Sequence, residues 1–339
     1  MTQPTAKRHH HVPAFYLRGF ADDDRITTVR LPGDHRHTQS VRKTAAENGF
    51  YAIPGHQDGD DVFEKALSGV EGDASRVFAR IAAGEWPLTP EDRATLAYFI
   101  ALQVSRGPEQ RRNMEFLSAQ ATRMEIGYGG KSNVKAWAKR EKGLDLTDAE
   151  ADAMWEQATQ AGGPPIRLTA LAHIKQMLKL SGELEKYISG RPWTLIRFKS
   201  RRLITSDTPV TLIRNPDDDP NYGVGFMTAW GIIYPLTRDV GLLMNDATML
   251  AERNVPVERV RAAEFDFVQE GTTMTEKFFN GHTADGASMW LYHHPDDARF
   301  VPDELPDASP VTMGFSGGQE EFSGEPLFAR SRTAARTPT

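Results

Sequence analysis

The chain has no cysteine among its 339 residues. That absence excludes a disulfide scaffold, a thiolate zinc site, an iron–sulfur cluster and a cysteine nucleophile together, and leaves His, Asp and Glu as the side chains for any metal. No run approaches the roughly 18 consecutive apolar residues of a membrane-spanning helix. The opening MTQPTAKRHHHVPAF also lacks the apolar core of a signal peptide, so a cytoplasmic location without a membrane partner is expected. An excess of positive charge is missing too. At a net charge of −6 there is no global attraction for nucleic acid, which leaves a local basic patch as the only route to one. No Walker lysine motif, no Gly-x-Ser-x-Gly elbow and no His-Glu-x-x-His occurs. Gly223-Val224-Gly225 lacks the third glycine and the helix of a dinucleotide fingerprint.

What is present is a globular composition, 39% hydrophobic and 25% charged, which argues against a wholly disordered chain. Ile26 to Leu31 (ITTVRL) followed by Pro32-Gly33-Asp34 reads as a strand and turn. From Asp60 to Ala83, Phe63, Leu67, Val70, Val77 and Ile81 recur at helical spacing, with Gly72 as a candidate break. Thr89-Pro90-Glu91-Asp92 supplies a hydroxyl cap, a proline at the first helical position and first-turn acids ahead of Leu96, Phe99 and Ile100. Thr147 and Glu150 form a second capping signature, and Leu168 to Tyr187 carries a third helical stripe. After Gly190-Arg191-Pro192 the period changes to two: Trp193 to Phe198, Arg202 to Ser206, Pro209 to Ile213 and Trp230 to Leu236 read as strands. These readings predict an α+β fold with a β-containing N-terminal segment, a helical middle (about 60–190) and a β-rich second half (about 191–300), in one domain over 8–300. Residues 303–339, rich in Pro, Ser, Gly, Glu and Thr, are expected to be a disordered tail, removable from about Glu320 onward.

Three constellations carry candidate chemistry. Extended backbone over His9-His10-His11 sends His9 and His11 to one side and His10 to the other, so these rings can ligate a metal, or the segment can simply pack through Tyr16, Leu17 and Phe20. Glu64 and Glu71, two turns apart on one helix face, suit a divalent cation or a division into acid and base; the plainer reading is a solvated helix face. On the next helix Gln103 falls on the apolar stripe and Arg106, Arg111 and Arg112 surround Gly107-Pro108, a cationic group suited to phosphate or carboxylate, or to the helix dipole. Farther on, Ser206-Asp207 sits between β-prone runs, where polar groups at a strand end serve either a site or ordinary turn chemistry. Arg167 and His173 approach the arginine–histidine spacing of helical ribonuclease domains. Leu168 replaces the polar residue that should follow the arginine, so the pair is set aside.

The segments HHVPAFYLRGF (His10 to Phe20), Phe50-Tyr51, Glu64 with Glu71, FIALQVSRGPEQR (Phe99 to Arg111), ITSDTPV (Ile204 to Val210) and YPLT (Tyr234 to Thr237) occur in this order. Together they resemble a bacterial family, the domain of unknown function 4238 (DUF4238). The resemblance implies no activity, but it favours one assembled polar site over unrelated surface residues. The leading expectation is a hydrolase of phosphodiesters or phosphoesters, metal-assisted and nuclease-like. In it His10, His11, Glu64, Glu71 and Asp207 are catalytic, and His10, Glu64 and Asp207 hold magnesium or manganese. Gln103, Arg106, Arg111, Ser206 and Tyr16 bind an anionic substrate. The alternative is a non-catalytic binding or stress and defence module with an arginine-lined anion site. Either reading requires these distant residues to converge.

Overall fold

The computed structural model describes residues 8–219, 223–311, 313 and 322–327. The strands are β1 (Arg8–His10), β2 (Arg25–Arg30), β3 (His35–Ser40), β4 (Ala46–Asn48), β5 (Trp193–Arg197), β6 (Thr205–Ser206), β7 (Thr211–Ile213), β8 (Gly231–Thr237), β9 (Val240–Asn245), β10 (Phe267–Glu270) and β11 (Trp290–His293). The helices are α1 (Ala14–Leu17), α2 (Val62–Ala82), α3 (Pro90–Ser105), α4 (Pro108–Gly129), α5 (Val134–Lys142), α6 (Asp148–Thr159), α7 (Ala170–Ser189), α8 (Thr248–Glu252), α9 (Val257–Arg261) and α10 (Thr273–Gly286). The fold is α+β, with N-terminal strands, a helical middle and a β-rich second half. The chain divides into two compact units, Met1–Arg111 with Thr169–Pro310, and Arg112–Leu168 with Val311–Thr339.

The first unit holds three sheets: β1-β4, the five-stranded β10-β5-β9-β8-β7, and the four-stranded β3-β2-β11-β6. Its main core joins the inner faces of α2 and α3, through Val77, Ile81, Leu96, Phe99 and Ile100, to Trp193, Leu195, Ile232, Tyr234 and Leu242 of the five-stranded sheet. α2 runs unbroken through Gly72, because the position faces open space and nothing there forces a kink. α3 starts as its cap signals require, with the Thr89 hydroxyl accepting from the Asp92 amide at 3.2 Å and Pro90 at the first position. In β9 a side chain at Gly241 would meet Phe279 at 2.7 Å and Leu203 at 3.1 Å, so only glycine lets α10 close on the sheet there.

The second unit buries Ile126, Val134, Trp137 and Trp155 around α5 and α6, with Phe322 packed partly buried against them. α6 begins with the reciprocal Thr147–Glu150 capping box. Within the region whose composition suggests a tail, Ser309 donates its amide to the Ser288 carbonyl at 2.8 Å, and Leu305 and Ala308 pack on Val29, Leu31 and Leu291. Farther on, Phe322 stands edge-on to Tyr128, so a truncation from residue 320 removes a packed ring. The rest of that predicted tail, 312, 314–321 and 328–339, lies outside the described residues. Among the described residues no helix is long and apolar enough to cross a membrane.

Candidate functional site

β1 pairs antiparallel with β4, His9 opposite Glu47 and His10 opposite Ala46. The alternation expected of extended backbone holds: His9 and His11 are buried and His10 between them is half-buried. The His9 ring accepts the Tyr51 amide on Nδ1 at 2.8 Å and stacks on the Tyr51 ring at 5.9 Å. This fixes Tyr51, whose hydroxyl donates to the carbonyl of Arg106 at 2.7 Å, at the C-cap of α3. Burial carries the Tyr51 phenol up to about 12.

Arg106, only 1% exposed, is the hub. One terminal nitrogen pairs with Glu71 Oε1 at 2.8 Å, and the other donates to the His10 carbonyl at 2.7 Å. Glu71 reaches it because α2 presents Glu64 and Glu71 on one face toward the end of α3. Glu64 does not share the ion pair. Burial raises its carboxyl from 4.5 to about 7; Arg106 and hydrogen bonding from the His10 backbone pull down, while the Glu71 and Asp61 charges push up. The His10 imidazole moves the other way, below 6.5, chiefly by burial, with Arg106 and Arg18 adding to the fall and the Val41 backbone and Glu71 opposing it. It is therefore neutral at pH 7.

Several buried polar atoms around this hub have no hydrogen-bond partner: His10 Nε2, Glu64 Oε2, Arg106 Nε and both ends of the Gln103 amide. Gln103 is one turn before Arg106 on α3 and 4% exposed. Such groups are costly unless something satisfies them, and here they concentrate around one ion pair. His173 of α7 extends the cluster. Its ring stacks on Tyr51 at 6.3 Å, Nε2 is also without a partner, and burial with the Arg111 charge lowers its pKa to about 4. Arg111 donates to the Phe50 carbonyl at 2.7 Å and lies 3.9 Å over the Phe50 ring.

The remaining candidates are committed elsewhere. Tyr16 donates to the Pro235 carbonyl at 2.7 Å, shares a hydrogen bond with Thr205 Oγ1 at 2.6 Å and stacks on Tyr234; burial raises its phenol far above the usual range. Ser206 Oγ accepts the Thr208 amide. The Asp207 backbone comes near the end of α3: a side chain at Gly107 would touch the Asp207 carbonyl oxygen at 4.0 Å. Its carboxylate accepts the Ser288 amide on Oδ1 and the Met289 amide on Oδ2, both at 2.9 Å. The expected metal set of His10, Glu64 and Asp207 therefore needs correction: among the described residues no three His, Asp or Glu side chains come together as metal ligands. The physical reason is this double amide contact, which turns the third carboxylate toward the start of β11.

Tyr51 and His173 are the functional-looking residues that sequence reasoning did not select. Their signal was faint: Tyr51 lies in a short aromatic pair, and His173 sits four residues before Met177 on the buried stripe of α7.

The architecture is that of an α+β protein, with a buried polar cluster around Arg106. The family model described as "Protein of unknown function (DUF4238)" matches residues 8–297, and the chain belongs to that family. No curated protein and no solved structure matches it.

Proposed function

We propose that the chain is an enzyme in which Glu64 and His10 divide proton transfer, and that it hydrolyses a phosphoester or phosphodiester. The observation that carries this is the Glu64 carboxyl, raised to about 7, unpartnered on one oxygen and in reach of the His10 backbone, with the His10 imidazole, held neutral, facing the same Arg106–Glu71 pair. Two neighbouring groups whose environments push their ionisation in opposite directions are suited to be acid and base at neutral pH. Neutral His10 takes a proton from water as the water oxygen bonds to phosphorus. Protonated Glu64 gives its proton to the departing ester oxygen as the phosphorus–oxygen bond breaks, and proton exchange with solvent restores both. Arg106 Nε and the Gln103 amide, unpartnered and buried at the same locus, suit the phosphoryl oxygens. Glu71 tunes rather than reacts, since it neutralises Arg106 and raises Glu64.

Turnover of bis(4-nitrophenyl) phosphate, 4-nitrophenyl phosphate and single-stranded oligonucleotides by the full chain tests the reading. Wild type should hydrolyse at least one of these, and Glu64→Gln and His10→Gln should each lose about 100-fold or more while remaining folded. No hydrolysis of any, or a Glu64→Gln variant as active as wild type, rejects it. A second reading, a non-catalytic binding module, is favoured by the commitment of the terminal nitrogens of Arg106 to Glu71 and His10 and of Arg111 to Phe50. It requires Glu64→Gln to lose stability instead of activity.

A further inference from the structure

A concavity lies over one face of the four-stranded sheet. The register aligns Tyr292 with Thr28 and Thr28 with His37, so these three side chains form a row across β11, β2 and β3. Trp290 and Gln39, two residues along their strands, fall on the same face. The rest of the lining is Lys43, Ala45, Ala46 and Glu47 together with His11. This half-open concavity has a volume of about 320 Å³, at the small end of the roughly 300–1,000 Å³ usual for small-molecule sites.

The lining is selective in kind. Trp290 is half-buried, and the His37 ring stands perpendicular to it at 6.4 Å, giving an aromatic corner open to a planar ring. The Thr28 hydroxyl, 3.2 Å from the His37 ring nitrogens, and the Gln39 amide offer donors and acceptors beside that corner. Lys43 and Glu47 belong to the lining, and neither takes part in an ion pair among the described residues. A cation, a carboxylate, an amide and an aromatic corner in so small a space match a ligand with a flat hydrogen-bonding heterocycle, hydroxyls and one anionic group.

We propose that this pocket binds a nucleoside monophosphate, with the base against Trp290 and His37, the phosphate at Lys43 and the sugar hydroxyls toward Glu47. The inference does not rest on the hydrolase reading, because equilibrium binding reports on it whether or not any ester is cleaved.

Isothermal titration of the full chain with AMP, GMP, CMP and UMP, and in parallel with the four nucleosides and inorganic phosphate, tests it. At least one monophosphate should bind in the sub-millimolar range. Lys43→Ala should weaken that monophosphate about tenfold, about 1.4 kcal/mol, and leave its nucleoside unchanged, whereas Trp290→Leu should weaken both. Because Trp290 also contributes to packing, the exposed variant His37→Ala repeats the aromatic arm without that risk and should weaken both as well. The proposal is overturned by the absence of monophosphate binding at several millimolar, by inorganic phosphate binding as tightly as every monophosphate, or by affinities unchanged in both Lys43→Ala and His37→Ala.

Discussion

Helix α3 carries two buried arginines, Arg93 in its first turn and Arg106 at its C-cap, each 1% exposed. Arg93 has every nitrogen engaged. Nε and one terminal nitrogen reach the Asp266 carboxylate at 2.7 and 3.3 Å, the carbonyls of Ser189 and Arg191 accept at 2.6 Å, and the guanidinium lies 4.0 Å over the Trp193 ring. Asp266 in turn accepts the Trp193 amide at 2.8 Å. Arg106 has two terminal nitrogens engaged, an unpartnered Nε and a ring of unpartnered neighbours. Burial alone does not separate a brace from a site. Completeness of hydrogen bonding at the guanidinium does: all the nitrogens of Arg93 are satisfied, with the Ser189 hydroxyl beside it left unpartnered, while at Arg106 the Nε and several surrounding donors and acceptors are left over.

The comparison breaks most directly at the Arg93 cluster. Arg93→Ala leaves the Asp266 carboxylate, 0% exposed, without its counter-charge, and should cost about 3–5 kcal/mol in denaturant unfolding. Arg93→Met combined with Asp266→Leu should recover much of that loss, since it removes both charges together. If Arg93→Ala unfolds at the wild-type denaturant concentration, Arg93 is no brace and the contrast fails. Asp207→Ala comes next. It strands the Ser288 and Met289 amides and should lose about 1–3 kcal/mol; retained stability with abolished turnover would instead return Asp207 to the catalytic group.

How far the sequence showed this contrast differs from residue to residue. α3 was legible because Thr89, Pro90 and Asp92 are local signals for one helix start, and the structure uses all three. β3, with the sequence HRHTQS, was not, because a mostly exposed strand has no apolar alternation to read. Glu64, Glu71, Gln103 and Arg106 were legible as candidates because helical spacing alone puts them on shared faces. Tyr51 and His173 acquire their place by stacking across more than a hundred residues of chain, which no local pattern encodes. Asp207 shows the same limit in reverse. Its position at a strand end was readable, but the direction of its carboxylate is set by amides some eighty residues later.

Glu64→Gln sharpens the open side of the comparison. The folded carboxyl sits at about 7 against 4.5 for an ordinary one, so its contribution to stability is complete below about pH 4.5 and is lost as pH rises through 7. The neutral glutamine carries no such loss. Its advantage over wild type should therefore grow between about pH 5 and 8 and reach roughly 1–2 kcal/mol, a figure reduced for the partial exposure of the group. Thermal unfolding of both proteins across that range measures it, and an advantage that shrinks with pH would mean Glu64 is stabilised as the anion.

The smallest effect falls on Glu71→Gln, and it isolates what the ion pair does to its neighbour. Glu71 raises Glu64 by like-charge repulsion and occupies the Arg106 nitrogen at 2.8 Å. Removing its charge ends the repulsion and leaves Arg106 without its carboxylate partner, and both changes favour ionised Glu64. The Glu64 midpoint, followed by carboxyl carbon NMR, should fall by about half a unit to one unit from its wild-type value. The pH window over which Glu64→Gln outperforms its parent should narrow in step when the two substitutions are combined. A midpoint that stays put or rises would show that burial alone sets Glu64, and that the Glu71–Arg106 pair is a second brace like Arg93 with Asp266.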